Sequence, residues 1–512
     1  MATTDPVAPT PAGPVRGRLD GGIAVFKGIP YGADTSTRRF EPPAPPQPWA
    51  GVRDALDYGP TSPQPPAPAF GAPDPPQSED CLVLNVWTPG LGDGGRRPVL
   101  FWMHGGGFTN FSGSSPSYDG TRLARKGDVV VVTVNHRLSV LGYLAVSLLD
   151  DPTFSAPSVG QQDLIAALEW VRDAIEGFGG DPGNVTIFGE SGGGAKVSTL
   201  MATPSATGLF HRAIVQSGSI LRFPSNRRAE AVARDYVATL GLSADDLAPL
   251  RKLPLDDLLA PVTGRASTPE SRGMLRPIID GELLPHQPWH PTAPPESSHV
   301  PLLVGTNRYE TRTQLGLADP RLFDIDWDRL DRRLSRQFPG WDVAAMIADY
   351  RDRNPQRTAG DAFFELTSDH WFLAGATGQA ELKAAQHAEG GAPCWMYRFD
   401  FEGETRKYGA GHANEIAFAF DNLELSPRTP EKGPEAQGVA DAMSDHWLAF
   451  ARTGDPAVEG RPAWPAYEVG DGTAAGGASG DRATMIFDAE SRVEYDPRAD
   501  VRAALGTYRP RR

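Results

Sequence analysis

Apolar positions along this chain fall into short unbroken runs, separated by longer stretches with helical spacing. The runs "RPVLFWMH", "VVVVTVN" and "VTIFGE" are of strand length and rich in branched or aromatic residues. Between the second and the third lies "GQQDLIAALEWVRDAI", in which Leu164, Leu168, Val171 and Ile175 recur at spacings of four, three and four. Such spacing lays one apolar stripe along a helix. A second helical pattern follows "VTIFGE", with Val197, Leu200 and Met201 at packing positions. Further on, "HRAIVQSG", "VPLLVGTN" and "PCWMYRFDF" read as additional strands. Strands that are apolar on both faces must be covered on both faces. Their alternation with amphipathic helices therefore predicts an α/β protein with a large, mostly parallel sheet and helices on either side.

Length changes this picture little. The 512 residues are read as one domain, 1–512, with long loop insertions and a flexible tail over residues 1–14, because large α/β chains can run this long around one sheet. The 56 glycines and 49 prolines stand well above the average of about 12% for the two together, so irregular connections should be plentiful. Two proline-rich stretches, "EPPAPPQPW" and "GPTSPQPPAPAFGAPDPPQ", read as ordered surface segments. The stretch "VGDGTAAGGASGD" reads as a mobile loop.

Charge narrows the partners. Lys plus Arg number 49 against 64 Asp plus Glu, a formal net charge of -15, and no basic stripe tracks along the chain, so nucleic acid is excluded as the expected partner. The start, "MATTDPVAPTPAG", has neither a basic region nor an apolar one, and no apolar run approaches the roughly 18 residues of a membrane span. A cytoplasmic protein without a membrane partner is expected, as a monomer or small homo-oligomer. Cys81 and Cys394, far apart in sequence, are expected to be thiols. Without clustered histidines they form no zinc pattern, and no metal or cofactor is expected.

Chemistry enters at "VTIFGESGGG". A strand, then Gly-Glu-Ser-Gly-Gly, then a helix is the arrangement of a nucleophile elbow. In such a turn the serine takes a strained conformation that lifts its hydroxyl above the strand ends. Residues two to either side must be small, and Gly189 and Gly193 are. Glycines around a serine also suit an ordinary strand-to-helix turn, and the motif alone does not choose between the two. The strand before and the helix after favour Ser191 as a nucleophile. A second glycine run, "GGGF", ends the strand "RPVLFWMH". The backbone N–H groups of Gly106 and Gly107, with that of Gly192, would there converge on a carbonyl oxygen as an oxyanion hole.

With these motifs in place, the chain resembles the type-B carboxylesterase family. "FGGDPGNVTIFGESGG" matches that family's nucleophile signature, and "EDCLVLNVWTP" matches a second one apart from Val83. Further blocks follow in family order, among them "GIAVFKGIPYG", "YDGTRLARKGDVVVVTVNHRLSVLGYL", "RPIIDGELLP", "VGTNRYET" and "WLAFARTGDP". The resemblance implies an α/β-hydrolase fold and a Ser191, Glu310, His412 triad that hydrolyses small to medium esters through an acyl-enzyme. Carbamate or amide hydrolysis on the same machinery, and a non-catalytic binding protein, are the alternatives. Among the four histidines after Glu310, His370 and His446 read as packing residues and His387 as an exposed helix end. His412 lies in "YGAGHANEIAF", which resembles the family's histidine loop. Ser217 matches a family serine near the triad, Glu190 reads as buried support, and Arg137 with Asp163 resembles a structural ion pair.

Two departures stand out. Gly192 occupies a position where the family usually has alanine, which suggests a roomier elbow. The cysteine matching Cys81 closes a disulfide-tied loop in cholinesterases, but residues 55–80 offer no partner, and no tryptophan lies between Trp49 and Trp87 to seat a choline cation.

Overall fold

The computed structural model of the chain describes residues 5–66, 75–263, 275–404, 407–427, 432–470, 481–499 and 501–502. In chain order the strands are β1 (Val7–Ala8), β2 (Val15–Arg16), β3 (Arg18–Asp20), β4 (Ile23–Pro30), β5 (Arg53–Asp54), β6 (Val83–Thr88) and β7 (Arg97–Met103). They continue with β8 (Val130–Val134), β9 (Gly180–Glu190), β10 (Arg212–Gln216), β11 (Leu302–Asn307), β12 (Cys394–Phe399), β13 (Ala483–Phe487) and β14 (Arg492–Tyr495). Eleven of them build one mixed sheet in the order β14-β13-β12-β11-β10-β9-β7-β8-β6-β4-β3. The run from β8 through β7 to β13 is parallel throughout, and the antiparallel pairs are confined to the flanks.

The sheet is buried on both faces, as its apolar strands require. On β7, Leu100 and Trp102 point into one core with Phe188, Ile214 and Leu303, whereas Val99, Phe101 and Met103 point into the other with Ile187, Val215 and Val304. That alternation is the period of two of an extended chain. The helices α1 (Thr121–Gly127), α2 (Ser139–Tyr143) and α3 (Val159–Ala174) precede β9 in the chain. The stripe Leu164, Leu168, Val171 and Ile175 is fully buried, with Ile175 opening the 3-10 turn after α3. The opposite face is covered in part by the helix Pro434–Thr453, through Met443 and Trp447.

Arg137 and Asp163 form the expected ion pair. The guanidinium donates to both carboxylate oxygens, at 2.9 and 2.6 Å, with both side chains almost wholly buried. A charge so placed is tolerable only when its partner and hydrogen bonds are complete. The remaining guanidinium nitrogen donates to Glu41 O at 2.7 Å.

Two expectations need correction or restriction. Residues 5–14 are not a tail: Val7 pairs with Arg16 and Ala8 with Val15, in a small sheet completed by β5. Residues 1–4, residues 67–74 of the second proline-rich stretch and residues 471–480 of the expected mobile loop lie outside the described residues. What is described of the proline-rich stretch is ordered, with Thr61 bridged to Gln77.

Strand register gathers the chemistry on one edge. Met103 is level with Gly189, and Glu190 with Gln216, so the segments leaving β7, β9 and β10 emerge side by side. Glu310 follows the end of β11 and His412 follows β12, along the same edge. Carboxyl ends of parallel strands are where open α/β sheets place their sites.

Candidate active site

β9 ends at Glu190, and helix α4 (Gly192–Leu200) begins two residues later. Ser191 makes the bend with φ 56° and ψ −120°, a conformation costly for a residue with a Cβ, and its N–H donates to Gln216 O at 2.8 Å. Crowding explains the flanking glycines. A Cβ on Gly193 would lie 1.9 Å from Met103 O, and one on Gly189 would lie 2.6 Å from both Met103 O and the Gly193 backbone.

After β7 the glycine run turns through Gly106 (φ 81°) and Gly107 (φ 63°). Gly106 O accepts from the N–H groups of Thr109 and Asn110 at 3.2 and 3.1 Å. The proline-rich segment braces this loop from outside. Asn110 Nδ2 donates to Pro65 O at 2.7 Å, and Gln64 Nε2 donates to Phe111 O at 3.1 Å. Gly107 packs directly on Gly192: a Cβ there would meet Gly107 O, N and Cα at 2.2 to 2.5 Å. The elbow is therefore not roomier. The space a methyl would take is filled by the glycine loop.

The imidazole lies across the edge. His412 Nδ1 is 2.6 Å from Glu310 Oε2, and Glu310 is wholly buried. Glu310 Oε1 accepts from Ser217 Oγ at 2.5 Å and from the Asn307 N–H at 2.8 Å, which fixes the carboxylate. With Nδ1 held by a carboxylate it carries the proton, leaving Nε2 for chemistry. Glu190, expected as buried support, is buried, and its Oε1 stands 3.2 Å from His412 Nε2. Ser191 and His412 lie on the same edge of the sheet. Gly105 packs against both Glu190 and Ser191: a Cβ there would lie 2.9 Å from Glu190 Oε2 and 3.5 Å from Ser191 Cβ.

Charge around the imidazole is unbalanced. Burial disfavours the imidazolium, but the Glu190 and Glu310 carboxylates outweigh it and hold the His412 pKa up at about 9. A further acid, Glu415, was missed by motif reading, although it stands three residues after His412 at the head of an apolar run. It is fully buried and accepts from Gln216 Nε2 at 3.1 Å and Asn307 Nδ2 at 2.5 Å. Burial, reinforced by the Glu310 charge, pushes its pKa up to about 7.

Other expectations resolve simply. His370 packs edge-on against Phe338 and Trp341, and His446 is buried with Nδ1 2.6 Å from Pro456 O. His387 is half-buried rather than exposed, because Nδ1 caps Gly391 O at 2.7 Å. Cys81 and Cys394 are both free and buried, and burial pushes each thiol up to about 12. Among the described residues, no group of three or more His, Cys, Asp or Glu is placed to hold a metal ion, and no helix is long and apolar enough to cross a membrane.

The Carboxylesterase family pattern matches residues 4–476. The chain is 35% identical over 511 residues to a para-nitrobenzyl esterase of Bacillus subtilis, covering 98% of this chain and 99% of that one. It is 34% identical over 485 residues to a phenmedipham hydrolase of Pseudarthrobacter oxydans, covering 91% and 94%. A crystal structure of a Geobacillus stearothermophilus carboxylesterase superposes with a TM-score of 0.82 at 38% identity, covering 98% and 99%.

Proposed function

Because this chain belongs to the carboxylesterase family, and so is a carboxylic-ester hydrolase of the α/β-hydrolase fold, we propose that it cleaves small to medium carboxylic esters through an acyl-enzyme formed on Ser191. The observation that carries this reading is the buried Glu310 to His412 contact of 2.6 Å, on the same sheet edge as the strained Ser191.

The steps follow from the groups present. Neutral His412, its Nε2 turned from Glu190 to Ser191, takes the hydroxyl proton as Oγ bonds to the ester carbonyl carbon. The carbonyl oxygen becomes an anion facing the N–H groups of Gly106, Gly107 and Gly192, at the positive end of α4. Collapse of this intermediate breaks the ester bond, and the imidazolium returns the proton to the leaving alkoxide. Water then attacks the acyl-enzyme by the same route, releasing the acid and restoring Ser191. Glu310 holds the imidazole tautomer and offsets its charge throughout.

Turnover of p-nitrophenyl esters by the parent and Ser191→Ala tests the reading. Loss of the nucleophile is expected to cost ~10⁴-fold or more in kcat, and an organophosphate is expected to add one equivalent to the parent alone. Undiminished turnover by Ser191→Ala would overturn it. Matched carbamates and anilides in the same panel measure how far the machinery extends beyond esters.

A further inference from the structure

Lys196 is wholly buried in α4, five residues beyond Ser191, at a place where an apolar side chain would fill the same space without desolvating an amine. Its Nζ donates to His104 O at 2.9 Å. His104 is the residue after β7, immediately ahead of the glycine run Gly105 to Gly107. The His104 and His136 rings stack at 5.3 Å between centroids beside it. Each has Nδ1 2.9 Å from a carbonyl oxygen, that of Gly105 and that of Arg137 respectively. Nδ1 must then carry the hydrogen in both rings, leaving both Nε2 atoms as acceptors. Neither Nε2 is served by a donor among the described residues. Burial draws the Lys196 ammonium down to about 7, with the Glu190 carboxylate pulling the other way, yet ammonium and amine both donate.

The placement of this tie suggests its use. The glycine run has no side chains with which to hold itself, and at Gly106 and Gly107 it turns through positive φ. Two of the three N–H groups proposed for the oxyanion belong to that run, and the third, of Gly192, belongs to the first residue of α4. Lys196 rides on the same helix as Gly192 and grips the peptide from which the run departs. We propose that Lys196 is a positioning residue, which locks the Gly106 and Gly107 donors to that of Gly192 by tying the start of the glycine loop to α4. This rests on the serine-hydrolase reading above, and preorganised donors are what make such a hole effective.

The test replaces the amine while keeping the stem, as Lys196→Met, and shortens it while keeping a donor, as Lys196→Gln, with Ser191→Ala in parallel. In Lys196→Met, kcat for p-nitrophenyl butyrate is expected to fall about 10- to 100-fold, short of or equal to the loss of a whole oxyanion donor, with KM little changed. The affinity for phenylboronic acid, whose serine adduct is tetrahedral, is expected to fall by a comparable factor, and Lys196→Gln is expected to lie between Met and the parent. A folded variant of either kind that keeps the parent's kcat and boronate affinity would overturn the proposal. So would loss of folding in both, judged by thermal melts, since Lys196 would then be holding the core and not the loop. An active Ser191→Ala would instead remove the underlying reading, whatever Lys196 does.

Discussion

Glu190 Oε1 lies 3.2 Å from His412 Nε2, on the opposite side of the imidazole from Glu310. An imidazole held by two carboxylates favours its charged form, and only its neutral form can accept the Ser191 proton. With the His412 pKa near 9, the kcat/KM of the free enzyme should climb through the alkaline range. Removing the Glu190 charge withdraws the largest of the carboxylate charges that raise that pKa. In Glu190→Gln the midpoint of the limb is expected to move towards acid by about 1 to 3 pH units, the usual effect of one opposite charge at this range. A pH profile of kcat/KM for an uncharged ester, parent against variant, measures it. An unmoved midpoint would mean that Glu190 does not govern the protonation of His412.

The turn at Ser191 was legible locally, in its glycines and in the change of apolar period around it, whereas Glu310 and His412 were reached through the resemblance of their segments to family blocks. Register then does the gathering, since level strand ends put the three on one edge. What was not legible depends on side-chain packing between distant segments. Nothing near residue 190 signals that its carboxylate meets an imidazole in a loop beyond β12. Nothing near Lys196 in the sequence signals its burial, which comes from the packing of α4 against the glycine loop. Glu415 is disguised by its neighbours, being one acid at the start of "IAFAF". Residues 5–14 were misread because a two-residue strand among prolines has no period to detect. The elbow was misjudged for a related reason: the space beside Gly192 is set by the positive φ of Gly106 and Gly107, which composition does not reveal.

That close packing predicts the outcome of Gly192→Ala. The new methyl would overlap the Gly107 backbone, with the nearest atom at 2.2 Å, and the glycine loop must retreat to admit it. Two oxyanion donors move with the loop. Displacements near 1 Å can cost ~10²-fold in rate, so kcat is expected to fall by about 10- to 100-fold. The loss should be similar for p-nitrophenyl acetate and for a bulky acyl ester, because it arises at the carbonyl oxygen common to both. A selective loss of the bulky ester alone would mean that the methyl intrudes on the acyl pocket instead.

The buried acid behind the triad makes a prediction about stability. Glu415 ionises in the folded protein near pH 7 rather than at the ordinary carboxylate value of about 4.5, because burial and the Glu310 charge oppose its ionisation. Below pH 4.5 it is protonated in folded and unfolded chains alike, and it exerts no pH-dependent effect. Between 4.5 and 7 the unfolded chain releases the proton while the folded chain keeps it, so stability falls as pH rises. Above 7 both are ionised and the full penalty persists. His412 adds to the same trend at higher pH: its raised pKa contributes stability that is complete below about 6.5 and lost as pH rises through about 9. Glu415→Gln preserves the shape and can still accept one of the two hydrogen bonds, from Asn307 or from Gln216, and it has no proton to lose. The variant's melting temperature is therefore expected to gain on the parent's steadily between pH 5 and 7, then to hold that gain up to pH 8. The later decline through pH 9 should remain, because it belongs to the imidazole. Thermal melts of both proteins across that range decide the matter, and parallel curves from pH 5 to 7 would show that Glu415 is ionised in the fold at its ordinary pH.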